Sequence, residues 1–151
     1  MFVKALLASK PRRLVTARSS SSVDEAMDML ISNRIGCLPV VEDDKLVGIV
    51  SDQDIFRKIH QTKGNYHSLK LRDIMTTELI VGLPDDEISY IAGLMSKNWI
   101  RHIPIVEGEK LIGLVSQRDI IKRQAEDTEV ENRYLKMYTE GLHRSDRSGD
   151  A

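Results

Sequence analysis

The chain has 151 residues, a formal net charge of −1, and a composition that is 41% hydrophobic and 30% charged. Such a length suits one compact domain or two fused half-domains, and such a composition suits a globular chain. The near-zero charge excludes a global electrostatic footprint for nucleic acid. No apolar run approaches the roughly 18–20 residues of a membrane-spanning helix, and a single cysteine, Cys37, excludes an internal disulfide framework and fits a reducing compartment.

Residues 1–22 carry Lys4, Lys10, Arg12, Arg13 and Arg18, four consecutive serines and no acid. This is the composition of a mitochondrial transit peptide, or of a basic arm over residues 1–10 that leads into a first strand. The arm is favoured, because Leu14–Thr16 has a counterpart later in the chain. Ser22 with Glu25 forms a capping-box pattern that opens a helix, on which Val23, Ala26, Met27, Leu30 and Ile31 share one face. Cys37–Val41 and Leu46–Val50 read as apolar strands joined by the polar turn Glu42-Asp43-Asp44-Lys45, and Asp52–His60 starts another helix.

The pattern then recurs. The segment NRIGCLPVVEDDKLVGIVSDQDI from Asn33 aligns without a gap on NWIRHIPIVEGEKLIGLVSQRDI from Asn98, an offset of 65. Identities include Asn33/Asn98, Pro39/Pro104, Gly48/Gly113, Ser51/Ser116 and Asp54/Asp119, and Val15/Ile80 and Val23/Ile88 extend the same offset. The second repeat predicts a helix capped by Asp85 or Asp86 and carrying Ile88, Ile91, Ala92, Leu94 and Met95. The strands Ile103–Val106 and Lys110–Val115 follow, then a helix from Gln117. The expected fold is α/β of the α+β kind: two β-α-β-β-α repeats related by a pseudo-twofold axis, their sheets packed together, plus a C-terminal helix. Repeat one spans 11–62, a polar linker 63–72, repeat two 73–124, the C-terminal helix 125–142 and a disordered tail 143–151. That last helix is signalled by Thr128 and Glu131, by the apolar stripe Val130, Tyr134, Leu135, Met137 and Tyr138, and by Gly141 at its end. The stripe packs either on its own chain or on a second copy. A unit of about 50 residues buries only about 60% of its unfolded surface, so two copies must share a core. The interface between them is a favoured place for small ligands.

The segment Leu71-Arg72-Asp73-Ile74-Met75-Thr76, the apolar–Pro–apolar strands at Leu38-Pro39-Val40 and Ile103-Pro104-Ile105, and the closing motifs GIVSDQD (48–54) and GLVSQRD (113–119) resemble a tandem CBS (cystathionine-β-synthase) domain pair of the stand-alone bacterial type, often called a Bateman module. The resemblance covers about residues 11–123. It implies adenine nucleotide binding in two clefts between the repeats (AMP first, then ATP, ADP or NAD), assembly into homodimers, and control of a regulated protein. It also implies that Ser51 and Asp54 serve one cleft and Ser116 and Asp119 the other, the hydroxyl meeting phosphate and the carboxylate meeting the ribose. The adenine slot falls to Cys37, Leu38 and Pro39 in one half and to His102, Ile103 and Pro104 in the other, faced by Thr16, Ala17, Val81 and Gly82.

The chemistry suits those residue types. A strand-to-helix junction offers free N–H groups and the positive end of the helix dipole to a phosphate. A serine hydroxyl there can donate to it, and an acid one turn on can accept from two ribose hydroxyls. The same Ser–x–x–Asp is also a plain capping box, and the two roles are compatible. Leu38, Ile103 and both prolines read equally as core. Repeat two offers Arg101, His102 and Arg118 where repeat one has Gly36, Cys37 and Gln53, so the Asp119 cleft is expected to take the tighter or more phosphorylated ligand. Arg34, Arg57, Lys122 and Arg123 either add to a pocket or lie on solvated faces. The scattered histidines, the absence of a second cysteine and the lack of a glycine-rich phosphate loop with a lysine argue against a metal site and an enzyme. The expected function is a cytoplasmic nucleotide sensor, with mitochondrial placement as the variant that the basic N-terminus suggests. The competing reading is a structural oligomerisation module with vestigial clefts.

Overall fold

The structure, a computed structural model, describes residues 1–10 and 13–147, and of residues 140–147 the backbone alone. Two compact units divide it, residues 1–116 and 117–151. In chain order the elements are α1 (Val3–Ser9), α2 (Val23–Asn33), β1 (Cys37–Glu42), β2 (Lys45–Ser51), α3 (Asp52–Gln61), α4 (Leu71–Ile74), α5 (Ile88–Asn98), β3 (His102–Glu107), β4 (Lys110–Ser116) and α6 (Gln117–Arg147).

Each repeat is built on an antiparallel hairpin. Turning β1 into β2 in two residues requires left-handed backbone at both turn positions, and Asp43 and Asp44 supply it with φ of 49° and 64°. That is type I′ turn chemistry, which aspartate tolerates better than most residues. Between β3 and β4 only the first turn position, Gly108 at φ 60°, is left-handed, so the second hairpin turns differently from the first. The hairpins join into one four-stranded sheet in the order β1-β2-β4-β3, where the sequence led us to expect two packed sheets. The junction is slender: Lys45 opposite Lys110, a Leu46 N–H donating to the Glu109 carbonyl at 3.1 Å, and a Lys45–Glu109 ion pair at 2.9 Å. Facing lysines would repel, and Glu109 offsets one of them.

The first strand of each repeat shrinks to a single parallel bridge, Ala17 with Val40 and Gly82 with Ile105. Ala17 donates to the Pro39 carbonyl and accepts from Val41, while Gly82 donates to Pro104 and accepts from Val106. Proline has no N–H to give a neighbouring strand, but its carbonyl is put to use here. A larger residue at Gly82 would have to displace neighbouring side chains, since a Cβ there would lie 2.7 Å from Ile91 Cδ1 and 2.8 Å from Ile105 Cδ1.

Helix α2 carries the expected Ser22–Glu25 capping box and buries Val23, Ala26 and Leu30, but Ile31 points to solvent, 75% exposed. Helix α5 buries Ile88, Ile91 and Met95. Its cap differs from expectation. Glu87 is the N-cap with no side-chain bond, Asp86 accepts from the Leu83 N–H instead, and the Ile88 N–H donates to the carbonyl of Met1.

That last bond exposes an organisation that the 65-residue offset hides. The linker segment 69–75 covers repeat one: Val23 N–H donates to Leu69, Leu71 N–H to Ser21 and Arg72 N–H to Ser19. The N-terminal segment covers repeat two in the same way: Ile88 N–H donates to Met1, Val3 N–H to Asp86 and Lys4 N–H to Pro84. On the repeats these partners keep the 65-residue offset, but Met1, Val3 and Lys4 match Leu69, Leu71 and Arg72 at an offset of 68. Val3-Lys4-Ala5-Leu6-Leu7 is therefore the counterpart of Leu71-Arg72-Asp73-Ile74-Met75. The match extends to packing. A Cβ on Gly48 would meet Met75 Sδ at 2.5 Å, and a Cβ on Gly113 would meet the Leu7 methyls at 2.7 Å. Leu71 is fully buried in the repeat-one core, and Val3 and Leu6 are buried likewise. Residues 1–10, read from the sequence as an arm, are part of the folded unit.

In the second unit, α6 is one continuous helix from Gln117 to Arg147, not a short helix followed by a separate one over 125–142. No proline or glycine interrupts residues 117–140, and an interior Thr–x–x–Glu pattern does not by itself break a helix. The helix runs past Gly141 through residues 143–147 of the expected tail, whose remainder, 148–151, lies outside the described residues, as do Pro11 and Arg12. Val130, Tyr134, Leu135, Met137 and Tyr138 are exposed.

If the N-terminal segment completes repeat two as the linker completes repeat one, Leu6→Ala and Leu71→Ala should each cost roughly 2–5 kcal/mol, the usual range for a buried leucine. Urea unfolding measures both. A loss well under 1 kcal/mol for Leu6→Ala alone would mean that the N-terminal segment is not part of the core.

Candidate functional site

Strand β2 ends at Ser51, where its extended backbone (φ −102°, ψ 163°) turns into α3. The Ser51 hydroxyl accepts from the Asp54 N–H at 3.2 Å, and Asp54 Oδ2 accepts from the Ser51 N–H at 2.8 Å. The capping box is complete. Both side chains nevertheless retain capacity, because the serine O–H remains a donor and a carboxylate offers about four lone pairs. Arg57, one turn on, lies 3.5 Å from Asp54 Oδ1. A cavity of about 210 Å³ opens beside Asp54, lined also by Arg57, Lys58, Gln61, Asp73, Ile74 and Met75.

Next to this junction the two repeats meet. The Asp52 N–H donates to the Gly36 carbonyl at 2.9 Å, and Arg101 Nη2 from repeat two reaches Asp52 Oδ1 at 3.1 Å. Gly36 leaves room for this approach: a Cβ there would sit 3.2 Å from Asp52 Oδ2 and 3.7 Å from His102 Cε1. Cys37 is buried in the same cluster. Burial first, then the carboxylates of Asp54 and Asp52, push its thiol from 9.0 up to about 12 against the opposing charge of Arg101. The thiol is thus protonated near neutrality and supplies no nucleophile.

The other expected site residues divide between core and surface. Leu38, Pro39, Ile103 and Pro104 are fully buried and Ala17 nearly so, and all five build the core. Thr16 and Val81 are exposed, and Gly82 is closed in by Ile91 and Ile105. Ser116 ends β4, while Arg118 and Asp119 occupy the first turn of α6 in the second unit. Lys122 and Arg123 also lie on α6, where Arg123 pairs with Asp127 at 3.4 Å. Arg34 is the exposed left-handed C-cap of α2.

Two features escaped the sequence. Arg101 and His102, grouped there with the Asp119 cleft, stand over Asp52 and Gly36 of repeat one. An alignment pairs equivalent positions but does not say which loop faces which across a pseudo-twofold axis. Asp52 itself was passed over, although Ser-Asp-Gln-Asp departs visibly from Ser-Gln-Arg-Asp in repeat two.

Comparison with known proteins agrees with this architecture. The family profile described as the CBS domain matches residues 5–61 and again 71–126, and the chain belongs to that family as a tandem pair. It is 32% identical over 128 residues to the mitochondrial CBS domain-containing protein CBSX3 of Arabidopsis thaliana, covering 82% of this chain and 62% of that one. It is 25% identical over 131 residues to the CBS domain-containing protein YhcV of Bacillus subtilis, covering 87% and 93%. Another curated relative is much longer, and the chain spans 22% of it. Among solved structures, the CBS domain pair of protein MJ0100 in complex with 5′-methylthioadenosine and S-adenosyl-L-methionine superposes with a TM-score of 0.74 at 33% identity, covering 84% of this chain and 98% of that one. Among the described residues no helix is long and apolar enough to cross a membrane, and no cluster of potential metal ligands occurs.

The Cys37 environment carries a pH signature. Between about pH 9 and 12 the unfolded thiol loses its proton while the folded one keeps it, so stability falls as pH rises through that window. Cys37→Ala should remove this part of the slope in denaturant titrations at pH 8, 9 and 10. An unchanged slope would contradict the buried, acid-flanked thiol.

Proposed function

We propose that this CBS pair is a regulatory module that senses an adenine nucleotide (AMP first, then ATP, ADP or NAD) at the junction of its repeats. Its occupancy then signals energy or redox state to a partner protein. The observation that carries the reading is the polar cluster built from both repeats, in which Arg101 and His102 approach Asp52 and Gly36 beside the Ser51–Asp54 junction. The adenosine ligands held by the MJ0100 pair support the same ligand class. In this reading Ser51 donates its free O–H to a phosphate and the spare lone pairs of Asp54 accept from the ribose. The backbone of Cys37–Pro39, opposite Thr16, reads the base. The resemblance assigns the phosphate and ribose of a second cleft to Ser116 and Asp119, with Arg118 next to Asp119 in sequence.

Signalling follows from geometry. The two hairpins share one rung, and Arg101–Asp52 is an ion pair between repeats, so a ligand bound at both repeats favours one relative arrangement over another. A ligand can shift the equilibrium only by that difference in affinity. We read the chain as a binding module and not an enzyme, and its single cysteine leads us to place it in a reducing compartment such as the cytoplasm.

The second reading, an oligomerisation module, draws on the exposed apolar residues of α6, together with exposed Phe56 and Trp99. Such surface asks for a partner, and we assign it to a homodimer of CBS pairs.

Thermal unfolding with millimolar AMP, ATP or NAD separates the readings. Ligand at 100 times its dissociation constant stabilises by roughly 2.7 kcal/mol, a melting shift of several degrees. The Asp54→Ala, Asp119→Ala double variant should lose it. A wild-type protein that shifts with none of the three leaves the oligomerisation module as the function. For the homodimer, sedimentation should give twice the chain mass, and Tyr134→Glu with Met137→Glu should halve it. A wild-type monomer at 100 µM would overturn that assignment.

A further inference from the structure

The Ser–x–x–Asp pattern has no need of an acid at its second position, yet Asp52 stands there. It opens α3, and its carboxylate is fixed from both repeats: Oδ1 accepts from the Gln53 N–H at 2.8 Å and from Arg101 Nη2 at 3.1 Å. Its own N–H is tied to the Gly36 carbonyl. Neither charge is deeply buried, with 42% of the Asp52 side chain and 49% of the Arg101 side chain exposed, so both remain within reach of a ligand. The pair has no counterpart across the pseudo-twofold axis. The residue 65 positions after Asp52 is Gln117, and the residue 65 positions before Arg101 is Gly36.

A phosphate brought to Ser51 meets this arrangement at a disadvantage. It approaches a fixed carboxylate, and the two guanidinium groups of the cluster are already engaged, Arg101 with that carboxylate and Arg57 with Asp54. Like charges a few ångströms apart repel even near the surface. An uncharged adenosine meets neither obstacle, because its ribose needs only the lone pairs of Asp54. We propose that Asp52 is a specificity-determining residue of the repeat-one cleft: it discriminates against phosphorylated adenosines by holding Arg101 and by placing a negative charge where their phosphate would sit. The proposal rests on the nucleotide-cleft reading above and narrows it: the repeat-one cleft keeps the adenosine and disfavours its phosphates, so AMP, ADP and ATP go by preference to the second cleft, where neutral Gln117 stands at the corresponding position.

Calorimetry with adenosine and with ATP, without added magnesium, tests this in the full chain carrying Asp119→Ala to silence the second cleft. Asp52→Asn should tighten ATP on the order of tenfold at low ionic strength, leave adenosine within about twofold, and lose most of its ATP gain in 0.5 M salt. Asp52→Glu, which keeps the charge, should bind ATP as weakly as the parent. An Asp52→Asn variant that is folded and binds ATP no better, or that changes adenosine and ATP in parallel, overturns the proposal while leaving the cleft intact. A folded parent that binds neither ligand overturns the cleft reading, and the proposal with it.

Discussion

Neither repeat can close its own sheet. The surface of the β2 strand at Gly48 and of the β4 strand at Gly113 is left bare by residues too small to cover it, and in both cases a short apolar segment from outside the repeat fills the space. Met75 lies over Gly48, Leu7 lies over Gly113, and Leu71 and Val3 are driven fully into the core behind them. The remaining architecture depends on this borrowing. Repeat one is completed by chain that precedes repeat two, and repeat two by chain that precedes repeat one, so the halves are interlocked although their sheets share one hydrogen-bonded rung. A 50-residue unit with so little core of its own gains stability from such a clasp.

The clasp also fixes what the site can do. It holds the two hairpins so that the start of β3 lies over the start of α3, and Arg101 reaches Asp52 across the repeats. The cluster joins a rigid element to a compliant one. Ser51 and Asp54 are locked by mutual hydrogen bonds, whereas the Arg101–Asp52 pair is half-exposed and its strength depends on salt. A ligand that uses the first and disturbs the second links binding to the relation between the repeats. Capping and ligand contact are not rival roles for Ser51 and Asp54, because the cap uses one lone pair of the serine and one carboxylate oxygen.

Much of this was legible in the sequence. The repeated Asn–x–Ile…Pro…Gly…Ser–x–x–Asp framework located both hairpins, α2 and α5, and the Ser51 and Asp54 junction, because apolar alternation and capping chemistry are local. What stayed hidden was non-local. The Val3–Leu7 counterpart of Leu71–Met75 sits at an offset of 68, three residues away from the repeat offset, and shares chemistry with it but no residue. The facing of Arg101 toward Asp52 follows from the pseudo-twofold axis and not from alignment. Ile31 satisfied helical spacing but lies just beyond the edge of the buried face. In α6 a capping-box pattern suggests a boundary, whereas a run free of proline and glycine carries the helix through it.

The junction of the two repeats is the ligand site proposed above. Backbone amide shifts of the isotopically labelled protein, followed through a titration with adenosine and with AMP, test it most directly. The account predicts saturable changes concentrated at Gly36, Cys37, Ser51, Asp54, Arg101 and His102, drawing both repeats into one response. A spectrum unmoved at millimolar ligand, or changes confined to α6, would contradict it.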